Sequence, residues 1–163
     1  LISTDSSNGK SYLSQELENY WISIGLQVRR LTYDEDFLAD DSRFIMSTSI
    51  KDLCPDILPD EIAIVEYPNL NDHSIPSSLL NMGTVNLMVT RANRTWKDID
   101  QKALKEVQSQ LENQDSLYMY LTESNRYAVE EFVGQLPPYT RFSNFVYRLS
   151  QLGLTATENN HAS

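Results

Sequence analysis

The apolar positions of this chain follow two rhythms. Leu13, Leu17, Tyr20, Trp21 and Ile24 recur three and four residues apart. That period predicts a helix over 11–24, and Gly25 stands where a helix commonly ends. A second helix is expected over 96–111, with Ile99, Ala103, Val107 and Leu111 on one stripe and Thr95 as its cap. Short continuous apolar runs at 62–65, 85–89 and 117–121 read instead as strands, the first a fully buried parallel one. Residues 1–4 read as the end of a buried strand. The stretch 27–33 reads as a further strand, and Arg29 and Arg30 make it a poor central one. A short strand is expected at 44–46, and Pro55 and Pro59 mark turns. The stretch 68–83 reads as a loop with a short apolar segment at 75–80. Towards the end, Ser124 or Asn125 can cap a helix carrying Val129, Phe132 and Val133 inward. Phe142, Phe145, Val146, Leu149 and Leu152 form a last amphipathic stripe, closed by Gly153.

Strands alternate with helices throughout, which predicts an α/β fold with a mainly parallel sheet flanked by helices in three layers. We assign residues 1–153 to one domain and 154–163 to a polar tail. In such sheets ligands bind beyond the C-terminal ends of the strands. The polar loop 5–9, Asp34 and Glu66 are all predicted to lie at that edge.

Composition narrows the function. The chain has 163 residues, 40% hydrophobic and 22% charged, as expected of a globular domain with a core. Its net charge of −10 repels a phosphate backbone on average and argues against nucleic-acid binding. The lone Cys54 fits a reducing compartment and a small apolar role. His73 and His161 lie in polar surroundings, and no Cys/His spacing suggests zinc. No apolar run reaches the ~18 residues of a membrane span. Because an apparent strand starts at Leu1, the chain is expected to be a piece of a longer protein. The nine tyrosines include Tyr118, Tyr120, Tyr127, Tyr139 and Tyr147. Structural roles on strands and half-buried helix faces are expected for them.

The chemistry concentrates at the start. Residues 3–11 read S-T-D-S-S-N-G-K-S between a strand and an amphipathic helix. The phosphate-binding loop pattern is G-x-x-x-x-G-K-[ST]. Gly9, Lys10 and Ser11 fit it, while Thr4 stands where the first Gly belongs. Loop N–H groups and a helix N-terminus attract phosphate oxygens. Asp5, Ser6, Ser7, Asn8, Gly9, Lys10, Ser11 and Tyr12 are thus the candidate nucleotide-binding residues. Lys10 would reach the outer phosphates, and the Ser11 hydroxyl would hold Mg²⁺. Glu66, ending the run Ile62-Ala63-Ile64-Val65, is a second candidate Mg²⁺ ligand. Asp34 is a candidate metal contact or catalytic base, in company with Lys10, since phosphoryl transfer asks mainly for positioning and charge neutralisation.

These segments, in order, together with V-N-L-M-V-T-R-A-N-R-T-W at 85–96, resemble the cytoplasmic domain of bacterial tyrosine kinases. These are the capsular and exopolysaccharide chain-length determinant proteins, related to the MinD-like ATPases. The resemblance covers roughly residues 1–135 and implies a P-loop NTPase-like fold. It implies ATP and Mg²⁺ as ligands, tyrosine phosphorylation on the tail of a neighbouring subunit, and a ring-forming homo-oligomer. It also implies coupling to an upstream membrane domain of the same protein at the cytoplasmic face of the bacterial inner membrane. The sequence departs from the pattern in several places. Thr32 replaces the first acid of the second motif, while Asp34 keeps the second. Asp36 falls where an Arg is usual. Glu66 replaces an Asp, with Pro68 retained. The last tyrosine is Tyr147, so the tyrosine-rich tail is missing. Two readings follow. One is a nucleotide-binding, kinase-like domain of a polysaccharide chain-length or export regulator. The other is a catalytically degenerate phosphate-loop domain, a pseudokinase, that regulates or assembles. A MinD-like ATPase outside polysaccharide biology is a third.

Overall fold

The computed structural model describes residues 1–125. Its strands are short and parallel. β1 (Val28–Thr32) pairs with β2 (Ile62–Glu66), and Thr32 lies opposite Glu66. β3 (Asn86–Arg91) pairs with β4 (Leu117–Thr122). The first residues of the chain join the two ladders. On one side Leu1 N donates to Val65 O at 2.6 Å and Tyr67 N to Leu1 O at 3.0 Å. On the other, Ile2 N donates to Leu87 O at 2.8 Å and Val89 N to Ile2 O at 2.7 Å. Parallel bridges Ile2↔Met88 and Ser3↔Asn69 complete the connection. The order across the described residues is therefore β1, β2, residues 1–3, β3, β4. The chain is a mixed α/β protein, as the alternation of periods predicts.

α1 (Lys10–Ser23) follows the first segment directly. It buries Leu13 beside Leu87, Val89 and Tyr120, with Leu1, Leu17 and Tyr118 packed around them. A larger cluster gathers Ile2, Leu31, Phe37, Phe44, Tyr67, Leu79, Leu80 and Val107. Neighbours Leu1 and Ile2 thus serve different clusters, as the period-2 alternation of extended chain requires. α1 ends as expected, with Gly25 at φ 88° just beyond its cap. Its second half stays open, and Ile24 is exposed.

Several expectations need correction. Residues 44–46 are not a strand. Asp41 accepts from Arg43 N and caps α2 (Ser42–Ile45), which buries Phe44 against Phe37. α3 (Ile50–Leu53), opened by a Ser49–Asp52 capping box, has no counterpart among the expected elements. The apolar segment at 75–80 contributes to α4 (Ser77–Met82). β2 is not fully buried, because Ala63 is exposed. α5 is Asp98–Gln110, with Lys97 rather than Thr95 at its cap. Of its expected stripe, Ala103, Val107 and Leu111 are buried but Ile99 is 51% exposed. The two helices expected beyond Ser124, His161, and Tyr127, Tyr139 and Tyr147 lie outside the described residues. Among the described residues, no helix is long and apolar enough to cross a membrane.

Candidate functional site

The loop after the first strand segment is built by its own side chains. The Asp5 carboxylate accepts from Ser7 N at 3.1 Å and Ser7 Oγ at 3.1 Å, which winds Ser6–Asn8 into a single 3₁₀ turn. The Ser7 amide, helped by the Ser7 hydroxyl and Arg94, holds the Asp5 carboxyl below its usual range against the upward push of burial. Gly9 then takes φ 83°, a left-handed value that costs a Cβ-bearing residue more than glycine. A Cβ there would also stand 3.4 Å from Thr122 Cγ2. Lys10 opens α1 immediately after it.

Thr4 explains the absent first glycine. Its backbone is outside the left-handed region, so no glycine is needed there. Its side chain is buried at 1% exposure. Arg94 Nη1 donates to Thr4 Oγ1 at 3.3 Å, and the Thr4 hydroxyl bonds Asp100. Arg94 Nη2 reaches both Asp100 oxygens, at 2.9 and 3.1 Å, and Asp100 also accepts from Lys97 N at 3.0 Å. Burial acts to raise the Asp100 pKa, but Thr4, the Lys97 amide and Arg94 outweigh it and hold the carboxyl below its usual range. The loop is thus anchored to the first turn of α5. On its other side, Thr122 Oγ1 donates to Asn8 O at 3.0 Å. The Asn8 side chain is fully buried, and neither its Nδ2 nor its Oδ1 has a partner among the described residues.

Lys10 is 8% exposed and donates to Tyr67 O and, at 3.4 Å, to Asn69 Oδ1. Burial pushes its pKa down from 10.5 to about 8, against the pull of Glu66. Glu66, 3% exposed, draws donors from α1 and β1 around one carboxylate. Ser11 Oγ donates to its Oε2 at 2.7 Å, and Ser14 Oγ donates to its Oε1. Arg30 Nη1 donates to the same Oε1 at 3.2 Å and to Thr32 Oγ1 at 3.2 Å, while Arg30 Nε pairs with Glu18 Oε2 at 3.0 Å.

The sequence-derived residues therefore divide. Ser11 touches Glu66, and Lys10 lies close enough to feel its charge. Asn8 and Gly9 form the inner part of the loop, and Asp5, Ser6 and Ser7 its outer part. Tyr12 is 60% exposed on α1. Asp34 does sit at the end of β1, but on an exposed turn with φ 72°, where its amide bonds Phe37 O at 3.0 Å. Asp36 turns back to accept from Thr32 N at 2.7 Å. Among the described residues no group of three or more His, Cys, Asp and Glu side chains is arranged to hold a metal ion.

Mg²⁺ demands near-octahedral oxygen ligands and tolerates few substitutes. Ser11 and Glu66 are the right donor types and touch one another. Yet one Glu66 oxygen already accepts from a guanidinium, and a dication beside Arg30 and Lys10 meets two positive charges. The residues present do not fit a resident Mg²⁺. Phosphate oxygens fit better, with Lys10, the buried, unpartnered side-chain amide of Asn8 and the start of α1 grouped at the loop.

Sequence reasoning missed Ser14, Arg30, Arg94, Asp100 and Thr122. Ser14 had a signal, since it follows Ser11 by one helical turn. Arg30 alternates with Thr32 on a strand leading to the site, a spacing that equally fits an outer strand with a solvated face. Arg94 lies in the segment 85–96 that carries the family resemblance and Asp100 just beyond it, without a role deduced for either.

No protein-family model, curated protein or solved structure matches this chain.

Proposed function

We propose that this chain is a nucleotide-binding, tyrosine-kinase-like domain with a three-layer phosphate-loop fold, part of a regulator of polysaccharide chain length or export. The reading is carried by one arrangement. Gly9 in a left-handed turn delivers Lys10 to the head of the 14-residue α1, beside the unpartnered buried amide of Asn8. The helix dipole and loop amides favour a polyphosphate there, and Lys10 exchanges Tyr67 O for phosphate oxygens. ATP is the expected ligand by resemblance. So are a homo-oligomer and an upstream membrane domain at the cytoplasmic face of the inner membrane. Calorimetric titration of the protein with ATP tests the site: binding lost in Lys10→Ala supports it, and equal affinity in wild type and variant contradicts it.

A second reading draws on Asp34 and Glu66. Asp34 is exposed on its own turn, and Glu66 is engaged by Ser11, Ser14 and Arg30. In this reading the domain holds nucleotide without transferring phosphate and acts as a regulatory or assembly module. ATP turnover or tyrosine phosphorylation by the purified protein would count against it.

A further inference from the structure

We infer that this site takes its nucleotide without a divalent cation, because the Arg30 guanidinium, fixed between Glu66 and Glu18, already neutralises the carboxylate that a metal ion would need. The inference rests on the nucleotide-binding reading and specifies the form of its ligand.

The argument begins with Glu66. A carboxylate buried to 3% exposure needs compensation for its lost hydration. It obtains this from two serine hydroxyls and one cation, on both of its oxygens. A metal ion bound there would have to displace the Ser11 or Arg30 contact and sit close to a guanidinium. Arg30 cannot titrate away, since arginine stays protonated in proteins. Nor is it free to swing out at little cost. Its Nε is held by Glu18 from α1 at 3.0 Å, and its Nη1 also bonds Thr32 at 3.2 Å. Register explains why Arg30 and not its neighbour arrives here. Thr32 lies opposite Glu66 in the parallel ladder, and Arg30, two residues earlier, shares its face. Arg29 pairs instead with Glu61 and Asp56. Around the loop, Lys10 and Arg30 balance Glu66 and Glu18, so incoming phosphates meet no unneutralised carboxylate at β2.

Isothermal titration with ATP in excess EDTA and in millimolar MgCl₂ tests this. For the wild-type protein, affinities within about twofold of each other are expected. Arg30→Met should weaken binding in EDTA at least tenfold and recover with Mg²⁺, and Arg30→Lys should stay cation-independent. Wild-type binding that weakens tenfold or more in EDTA overturns the inference while leaving the nucleotide reading intact. Arg30→Met binding equally in both buffers removes the role given to Arg30. No binding in either buffer overturns both readings. Circular dichroism confirms that the variants fold, and the wild-type comparison decides the matter even if Arg30→Met does not.

Discussion

At the level of single residues, the glycine and lysine of the loop carry the most consequence. Gly9→Ala forces a Cβ into the left-handed region near Thr122. A loss of about 1–2 kcal/mol is expected, read as a lower urea midpoint. Lys10 adds a pH signature. Its folded value of about 8 lies below its ordinary 10.5, so the unfolded chain binds more protons between these limits. The Lys10 contribution to stability therefore rises with pH from about 8 to 10.5. Urea unfolding at pH 7.5 and pH 10 should show this rise in wild type, and a smaller rise in Lys10→Met. Phosphate binding works in the opposite sense, because it favours the charged lysine. Titration near pH 8 in buffers of different ionisation enthalpy should reveal proton uptake on binding. G-K-S was legible in the sequence because three consecutive residues make the pattern. The Arg30–Glu66 pair was not, because it joins positions 36 residues apart whose register only the folded ladder sets.

Elements differ in how clearly the sequence announces them. α1 and α5, with 14 and 13 residues, span several turns and show their period. The runs at β2, β3 and β4 are β-branched or apolar enough to be read directly. α2 and α3 have four residues each, barely one turn, so no periodicity can develop. Their existence depends on caps from Asp41 and Ser49 and on the burial of Phe44 and Leu53. Phe44→Ala, at 1% exposure and stacked on Phe37, should cost about 3–5 kcal/mol in denaturant unfolding. α5 is tied to the loop by its first turn. Asp100→Ala removes the Lys97 N cap and leaves Arg94 without its bidentate partner. Since Arg94 keeps some solvent access, a loss of about 2 kcal/mol is expected, with a lower melting temperature.

Across the whole molecule, the alternation of strand and helix periods reveals the α/β class, but not the order of strands. That order depends on residues 1–3, which are too few to read as a full strand and which join β2 to β3. The same insertion places the loop 4–9 at the C-terminal edge of the sheet, between Glu66 on one side and Thr122 on the other. Asp34 shares this edge by sequence, yet the tight turn closed by Phe37 holds it to solvent. The account's central claim is that this loop holds nucleotide phosphates through Lys10. Calorimetric titration of wild-type protein and Lys10→Ala with ATP tests it most directly. Saturable binding in wild type that weakens at least tenfold in a folded Lys10→Ala variant is predicted. Absence of wild-type binding, or binding unchanged by the substitution, would contradict it.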